Sequence, residues 1–239
     1  MKKLIKPKAI IFDVFGTVVD WRTSITLQCQ ESSEFRKLNI DCALFADKWR
    51  GKYRPFMYKV GSGKLPWTNL DDLHRMALDE LLDEFKIWNL TELEKQNLNR
   101  AWHSLKPWPD SIPGLCRLKR NFITGTLSNG NVSLLVNMAK HAGLPWDCIF
   151  SAEMCKAYKP DQKVYQMAIS LLDEKPQNIL MVAAHHSDLL AAHAAGLATA
   201  YIPRPLEYGI QNNHVDNQDV SFVDIMVDDI CALADTLDS

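Results

Sequence analysis

The sequence predicts an α/β protein: a doubly wound, Rossmann-like parallel sheet with a helical bundle inserted after its first strand. Three observations carry this. Ala9-Ile10-Ile11-Phe12 is an unbroken apolar run that ends at Asp13, the pattern of a strand buried on both faces. From about residue 106 onward, apolar runs alternate with helical stripes, the spacing of βαβ units. Between these stretches, residues 21–105 show three- and four-residue apolar periodicity and are rich in tryptophan. A core domain is therefore expected over residues 1–20 and 106–239, and a helical cap domain over residues 21–105.

In the inserted stretch, Phe45, Trp49, Tyr53, Phe56, Met57 and Val60 fall on one helical face. Pro55 is expected to bend or shorten that helix, and Gly61-Ser62-Gly63 to end it. Leu70, Leu73, Ala77, Leu81 and Phe85 form a second stripe. Thr91-Glu92-Leu93-Glu94 is a capping-box pattern ahead of Leu98, Ala101, Trp102 and Leu105. Pro107-Trp108-Pro109 and Pro113-Gly114 then mark a linker and a helix start. Residues 122–127 read as a strand ending at Ser128-Asn129-Gly130-Asn131, and residues 132–141 as a helix closed by Gly143. A short strand is expected at 148–150, and Pro160 suits the start of a helix striped by Val164, Ala168 and Leu171. The apolar run 178–184 is a strand leading to His185-His186-Ser187-Asp188. A helix closed by Gly196, a strand at 197–202, a last strand at Phe222-Val223 and a C-terminal helix complete the chain.

Composition narrows the function. The formal net charge is −2, with no strong basic run, which disfavours nucleic acid or an acidic membrane surface as partner. No apolar run approaches the roughly 20 residues of a membrane helix, and Pro7, Lys8 and Asp13 interrupt any signal-like stretch. The six cysteines, at 29, 42, 116, 148, 155 and 231, form no Cys-x-x-Cys pair. No histidine cluster has zinc-finger spacing. A reduced, soluble, cytoplasmic protein is expected, its cysteines buried as small hydrophobes.

Four predicted strand ends bring polar residues to one edge of the sheet: Asp13 to Thr17, Ser128-Asn129, Lys159, and His185 to Asp188. Open α/β sheets bind ligands at this edge, and four converging ends predict an active site. Asp13 alone reads equally as a turn carboxylate or as a nucleophile. Beside the other three ends it reads as the nucleophile.

The ordered set Asp-x-Phe-Gly-Thr at 13–17, Leu-Ser-Asn-Gly at 127–130, Tyr-Lys-Pro-Asp at 158–161 and a strand leading to Asp188 resembles the haloacid dehalogenase superfamily. Within it, the chain looks like the type II (S)-2-haloacid dehalogenases. Most members of the superfamily are phosphatases with a second Asp two residues after the nucleophile, the acid that protonates the leaving alcohol. Phe15 stands there instead. An alkoxide needs that proton, whereas a halide leaves as a stable anion. Phosphatases of this kind also hold Mg²⁺ with a late acidic cluster, whereas the late motif here has the single carboxylate Asp188. The resemblance therefore implies hydrolysis of a small-molecule haloacid, with no metal and no cofactor. The competing readings are a Mg²⁺-dependent phosphatase whose acid lies elsewhere, and a non-catalytic binding module. The apolar insertion is compatible with a homodimer, which is common in relatives.

The resemblance also implies roles. Asp13 attacks the halogen-bearing carbon in line, inverts it and forms an ester, which water then hydrolyses. Lys159 keeps Asp13 ionised and stabilises the oxyanion of the second step. Thr17 and Ser128 hydrogen-bond carboxylates, and Asn129 lies near the departing halide. Asp188 orients the water, and Tyr165 contacts the site. Arg50, in a Trp-Arg pair, supplies the cation for halide or carboxylate, with Arg54 as competitor, and guanidinium suits a large soft halide. Trp21 and Phe56 are pocket walls or plain core. The late motif departs from the family pattern, in which Ser-Ser-Asn precedes two residues and the Asp. Ala183, Ala184 and His185 stand there. His185 could position the water, donate to the carboxylate or fill space, and its bulk is expected to favour haloacids of two or three carbons. His186 is expected to be structural or rim-exposed.

Overall fold

The computed structural model describes residues 6–210 and 219–238. The chain opens with β1 (Ala9–Phe12), whose four residues are all buried. β2 (Val19–Asp20) leads into five helices: α1 (Trp21–Glu31), α2 (Ser33–Lys37), α3 (Cys42–Gly61), α4 (Leu70–Glu84) and α5 (Glu92–Asn99). The chain returns through a single turn at Arg100–His103 and β3 (Lys106–Pro107), which pairs antiparallel with β2. The remainder alternates: α6 (Ser111–Leu118), β4 (Ile123–Ser128), α7 (Val132–Ala142), β5 (Cys148–Ser151), α8 (Gln162–Leu172), β6 (Ile179–Ala183), α9 (His186–Ala194), β7 (Ala198–Tyr201), β8 (Ile225–Met226) and α10 (Ile230–Asp238).

Among the described residues, six strands form one parallel sheet in the order β5-β4-β1-β6-β7-β8. The order runs outward in both directions from β1. The connections therefore part at its C-terminal end and leave a crevice there, where doubly wound sheets bind ligands. β1 and β6 are apolar throughout because helices cover both faces. Each fully buried Ile, Leu or Phe there contributes on the order of 1.5–3 kcal/mol.

The inserted helices start where side chains can cap them. Asp20 accepts from the Thr23 N–H, Asp41 from Ala43 and Leu44, and Asn69 from Asp72. Thr91 and Glu94 form the expected capping box. An aromatic cluster fills the bundle: Phe45 meets Phe35, Phe85 and Trp49 edge-on at centroid distances of 4.8, 5.2 and 5.9 Å.

Four local expectations are corrected. α3 continues through Pro55 to Gly61. The proline is exposed, so its lost backbone bond faces solvent while Trp49, Phe56 and Met57 stay buried on the same helix. Pro160 does not begin α8, because Asp161 takes the N-cap and accepts from Lys163 N–H. The last strand is Ile225–Met226, not Phe222-Val223. Asp224 caps Thr199 N–H, so pairing with β7 starts beyond it, and Phe222 packs on the His186 and His193 rings. The cysteines are all free, but only Cys29 and Cys42 are buried, and Cys116 is exposed. Among the described residues, no helix is long and apolar enough to cross a membrane.

Candidate active site

Asp13 is the first residue past β1, and its N–H still bonds Val182 of β6 at 3.0 Å. The chain then turns sharply, with Gly16 at φ +85°. The turn brings Thr17 back: its hydroxyl donates to Asp13 Oδ2 at 2.9 Å and accepts from the Ala184 N–H at 2.9 Å. Lys159, delivered by the segment after β5, points its ammonium between two carboxylates. It donates to Asp13 Oδ1 at 2.9 Å, to Asp188 Oδ2 at 2.5 Å and to the Leu127 carbonyl at 2.8 Å. All three of its protons are engaged.

The three charged side chains are 7–10 % exposed, so each depends on the others for its charge. Burial pushes Asp13 up, but the charges and donors of Lys159 and His185 outweigh it and hold the acid far below the usual carboxylate range. Burial likewise opposes the charge of Lys159, and Asp13 and Asp188 raise it above the ordinary lysine value. Asp188 is raised by its burial and by the Asp13 charge, against the pull of Lys159. A carboxylate of raised pKa, joined to the nucleophile through the Lys159 ammonium, is suited to take a proton from water.

The strand ends supply the remaining groups. Asn129, just past β4, accepts from the Lys159 N–H at 2.7 Å and points its amide at Met57 Sδ, 3.4 Å away. Ser128 does not bond Asp13. Its oxygen accepts from the Gly130 N–H at 3.2 Å, leaving its own proton to donate. Tyr165 is buried on α8 and donates to Asp188 Oδ1 at 2.5 Å. Burial raises its pKa, so it is a fixed donor.

The helical insertion faces this edge with Arg50. Its guanidinium lies 4.2 Å from the Tyr53 ring, 5.4 Å from Trp21 and 5.8 Å from Phe15. Nη1 is buried without a hydrogen-bond partner among the described residues. Arg54, the competing candidate, is exposed. Phe15 is buried edge-on against Trp102 beneath Arg50, so an aromatic floor occupies the place of the phosphatase acid. Phe56 is buried, with Lys59 over its ring. Among the described residues, no three His, Cys, Asp or Glu side chains gather as a metal site.

The sequence model of the haloacid dehalogenase-like hydrolases matches residues 7–196. The chain belongs to this family. It is 31% identical over 209 residues to (S)-2-haloacid dehalogenase 1 of Pseudomonas sp. (strain CBS-3), covering 84% of this chain and 88% of that protein. The crystal structure of an L-2-haloacid dehalogenase superimposes with a TM-score of 0.90 at 42% identity, covering 97% of this chain and 99% of that one. A defluorinating L-2-haloacid dehalogenase gives 0.90 at 44% identity, covering 98% and 96%.

Against the haloacid dehalogenase pattern of the late motif, the structure reveals a feature that sequence reasoning missed. His185 Nδ1 lies 2.9 Å from Asp13 Oδ2, and its Nε2 lies 3.1 Å from Glu207 Oε2. Glu207 sits on the loop after β7, its side chain only 5 % exposed, and accepts from Trp21 Nε1 at 2.9 Å. This makes Trp21 a wall of the site rather than plain core. The signal was available: β7 is a further strand ending at the same edge, and Glu207 lies a few residues beyond it. His186 bonds the Asp219 carbonyl at 2.7 Å, away from Asp13.

Proposed function

We propose that this chain hydrolyses the carbon–halogen bond of short (S)-2-haloalkanoic acids, giving 2-hydroxy acids of inverted configuration through an ester on Asp13. The observation that carries this reading is the pairing of an ionised, Lys159-held Asp13 with the Phe15 floor beneath Arg50. The site offers a nucleophile and a cation but no acid at position 15 for an alkoxide leaving group. The named relatives, all 2-haloacid dehalogenases, support it over a phosphatase.

In the first step Asp13 displaces the halide in line. Arg50, with a free donor on Nη1, receives the halide or the substrate carboxylate, and Asn129 and Ser128 offer further donors. In the second step Asp188 orients water onto the ester carbonyl, and Lys159 offsets the charge that develops on the Asp13 oxygens. Residues 21–105 act as a cap on the core of residues 1–20 and 106–239. The side chain of His185 beside Asp13 narrows the space and favours two- and three-carbon acids, fluoroacetate among them. The defluorinating relative supports that extension. A cytoplasmic location belongs to the same reading, and the insertion is compatible with a homodimer.

The test compares halide release from chloroacetate and 2-chloropropionate with phosphate release from a phosphomonoester, each with and without a chelator. Chelator-insensitive halide release is expected. Chelator-sensitive phosphate release without halide release would sink the reading. In a single turnover with excess enzyme in isotopically labelled water, the first product should carry oxygen from Asp13. Solvent label in that product would overturn the ester.

A further inference from the structure

The geometry dictates the protonation of His185 as it does that of Lys159. Both of its ring nitrogens face carboxylates, Asp13 Oδ2 at 2.9 Å and Glu207 Oε2 at 3.1 Å. Ionised carboxylates only accept. A neutral imidazole has one N–H and would turn a lone pair on one of these oxygens, whereas an imidazolium satisfies both. Glu207 is itself held in place. Trp21 Nε1 donates to it at 2.9 Å. Its loop is tied down by Arg204, which donates to the Thr17 carbonyl at 2.9 Å and to both oxygens of Asp110 at 2.8 and 2.7 Å. Gly16 makes room for the carboxylate: a Cβ there would lie 2.2 Å from Glu207 Oε1.

We infer that Glu207 is a positioning residue that keeps His185 cationic, and that the His185 cation and the Thr17 hydroxyl form the oxyanion site for hydrolysis of the Asp13 ester. The inference rests on the reading of Asp13 as the ester-forming nucleophile. Asp13 Oδ2 accepts from two of these groups, Thr17 and His185, whereas Oδ1 accepts from Lys159. The less engaged oxygen, Oδ1, attacks carbon as the carbon–halogen bond breaks and the halide leaves with the bonding pair. Oδ2 stays the carbonyl oxygen. Water then adds to Cγ, its proton passes to Asp188, and the π pair moves onto Oδ2, which already faces two donors. Collapse breaks the Cγ–Oδ1 bond, the departing alkoxide takes the proton from Asp188, and Asp13 loses its remaining proton to solvent. His185 keeps its proton throughout. A protonated ring cannot act as the base, which leaves that role to Asp188.

The surrounding charges agree. Asp13 and Glu207 face His185 directly, Lys159 and Asp188 lie across Asp13, and Arg50 and Tyr208 lie beyond Glu207. Three carboxylates then stand against Lys159, Arg50 and a charged His185, and the cluster is neutral before an anionic substrate arrives. Burial opposes the charge on His185, but Glu207 and the two hydrogen bonds raise it from 6.5 to about 10.

The first measurement is the ring-nitrogen NMR spectrum of His185 at about pH 8, assigned by the loss of its signals in H185N. The ring should be doubly protonated in the wild type and neutral in E207Q. A neutral ring in the wild type overturns the inference. This readout needs no turnover. It therefore stands apart from failure of the dehalogenase reading, which would show as absence of halide release from chloroacetate by the wild type. The second measurement is kinetic. E207Q should lose about 10- to 100-fold in kcat, with KM for chloroacetate changed less than about twofold. The Asp13 ester should accumulate by intact mass, and the basic limb of kcat should move to lower pH as the Glu207 charge is lost. E207D should restore the limb. An E207Q enzyme with an unmoved limb and no ester accumulation overturns the proposal.

Discussion

On the sheet side of the site, Lys159 uses all three protons, Thr17 both donates and accepts, and both oxygens of Asp13 are engaged. On the insertion side, Arg50 Nη1, Trp102 Nε1 and both ring nitrogens of His74 are buried with no hydrogen-bond partner among the described residues. His74 stacks on Trp102 at 4.3 Å, and burial lowers it to about 3, so it is neutral. Unpaired buried polar atoms each cost on the order of 1–3 kcal/mol. The contrast assigns different tasks to the two sides. The sheet side is organised around a charge that is already present on Asp13. The insertion side holds an aromatic-lined cation with one buried N–H left without a partner among the described residues. Substitutions should therefore lower stability and turnover together on the sheet side, and separate them on the insertion side.

The largest effect is expected for Lys159→Met. Two buried carboxylates lose their shared cation. Stability should fall by about 3–5 kcal/mol and halide release by a factor of about 1,000 or more, read by urea unfolding and turnover of chloroacetate. Unchanged stability would break the comparison. Arg50→Met should be smaller and one-sided: about 100-fold slower turnover, with unfolding free energy within about 1 kcal/mol of the wild type. A loss of stability matching that of Lys159→Met would erase the distinction.

His185→Asn tests both size and charge. Turnover of longer 2-haloacids should rise relative to chloroacetate, and an unchanged chain-length preference would count against the size argument. The folded pKa of His185, about 10, lies above its unfolded value of 6.5. Its stabilisation is therefore complete below pH 6.5 and is lost as pH rises through about 10. The urea midpoint should fall over that window in the wild type and stay flatter in His185→Asn. The smallest effect is expected for His74→Phe, which removes two unpaired nitrogens from the stack on Trp102. It should gain about 1 kcal/mol, and a destabilised variant would show that the ring has a partner role.

Much of this arrangement was legible in the sequence because parallel strands announce themselves. A buried strand is a short apolar run, and the residue at its end is fixed in space by the sheet. That is why Asp13 and Asn129 could be placed before any coordinates, with Thr17 and Lys159 beside them, whereas Asp188 is brought to the same edge by the first turn of α9. Glu207 follows Pro203-Arg204-Pro205, a loop without periodicity, and its partners Trp21 and His185 are far from it in sequence. The end of β7 points to this loop, but contacts of that kind leave no pattern that singles out Glu207 within it. Tyr165 was found, but its direction was not. A tyrosine on a helix face can reach substrate or a neighbouring carboxylate, and only the register of α8 against α9 puts its hydroxyl on Asp188.

Gly16 and Glu207 share one volume, since any side chain at position 16 would displace the carboxylate. The Glu207 carboxylate takes its observed position because residue 16 has no Cβ, and that carboxylate is the second acceptor of His185. A side chain at position 16 would also release the acceptor of His185 Nε2, so one turn residue carries a constraint imposed from the far end of the chain.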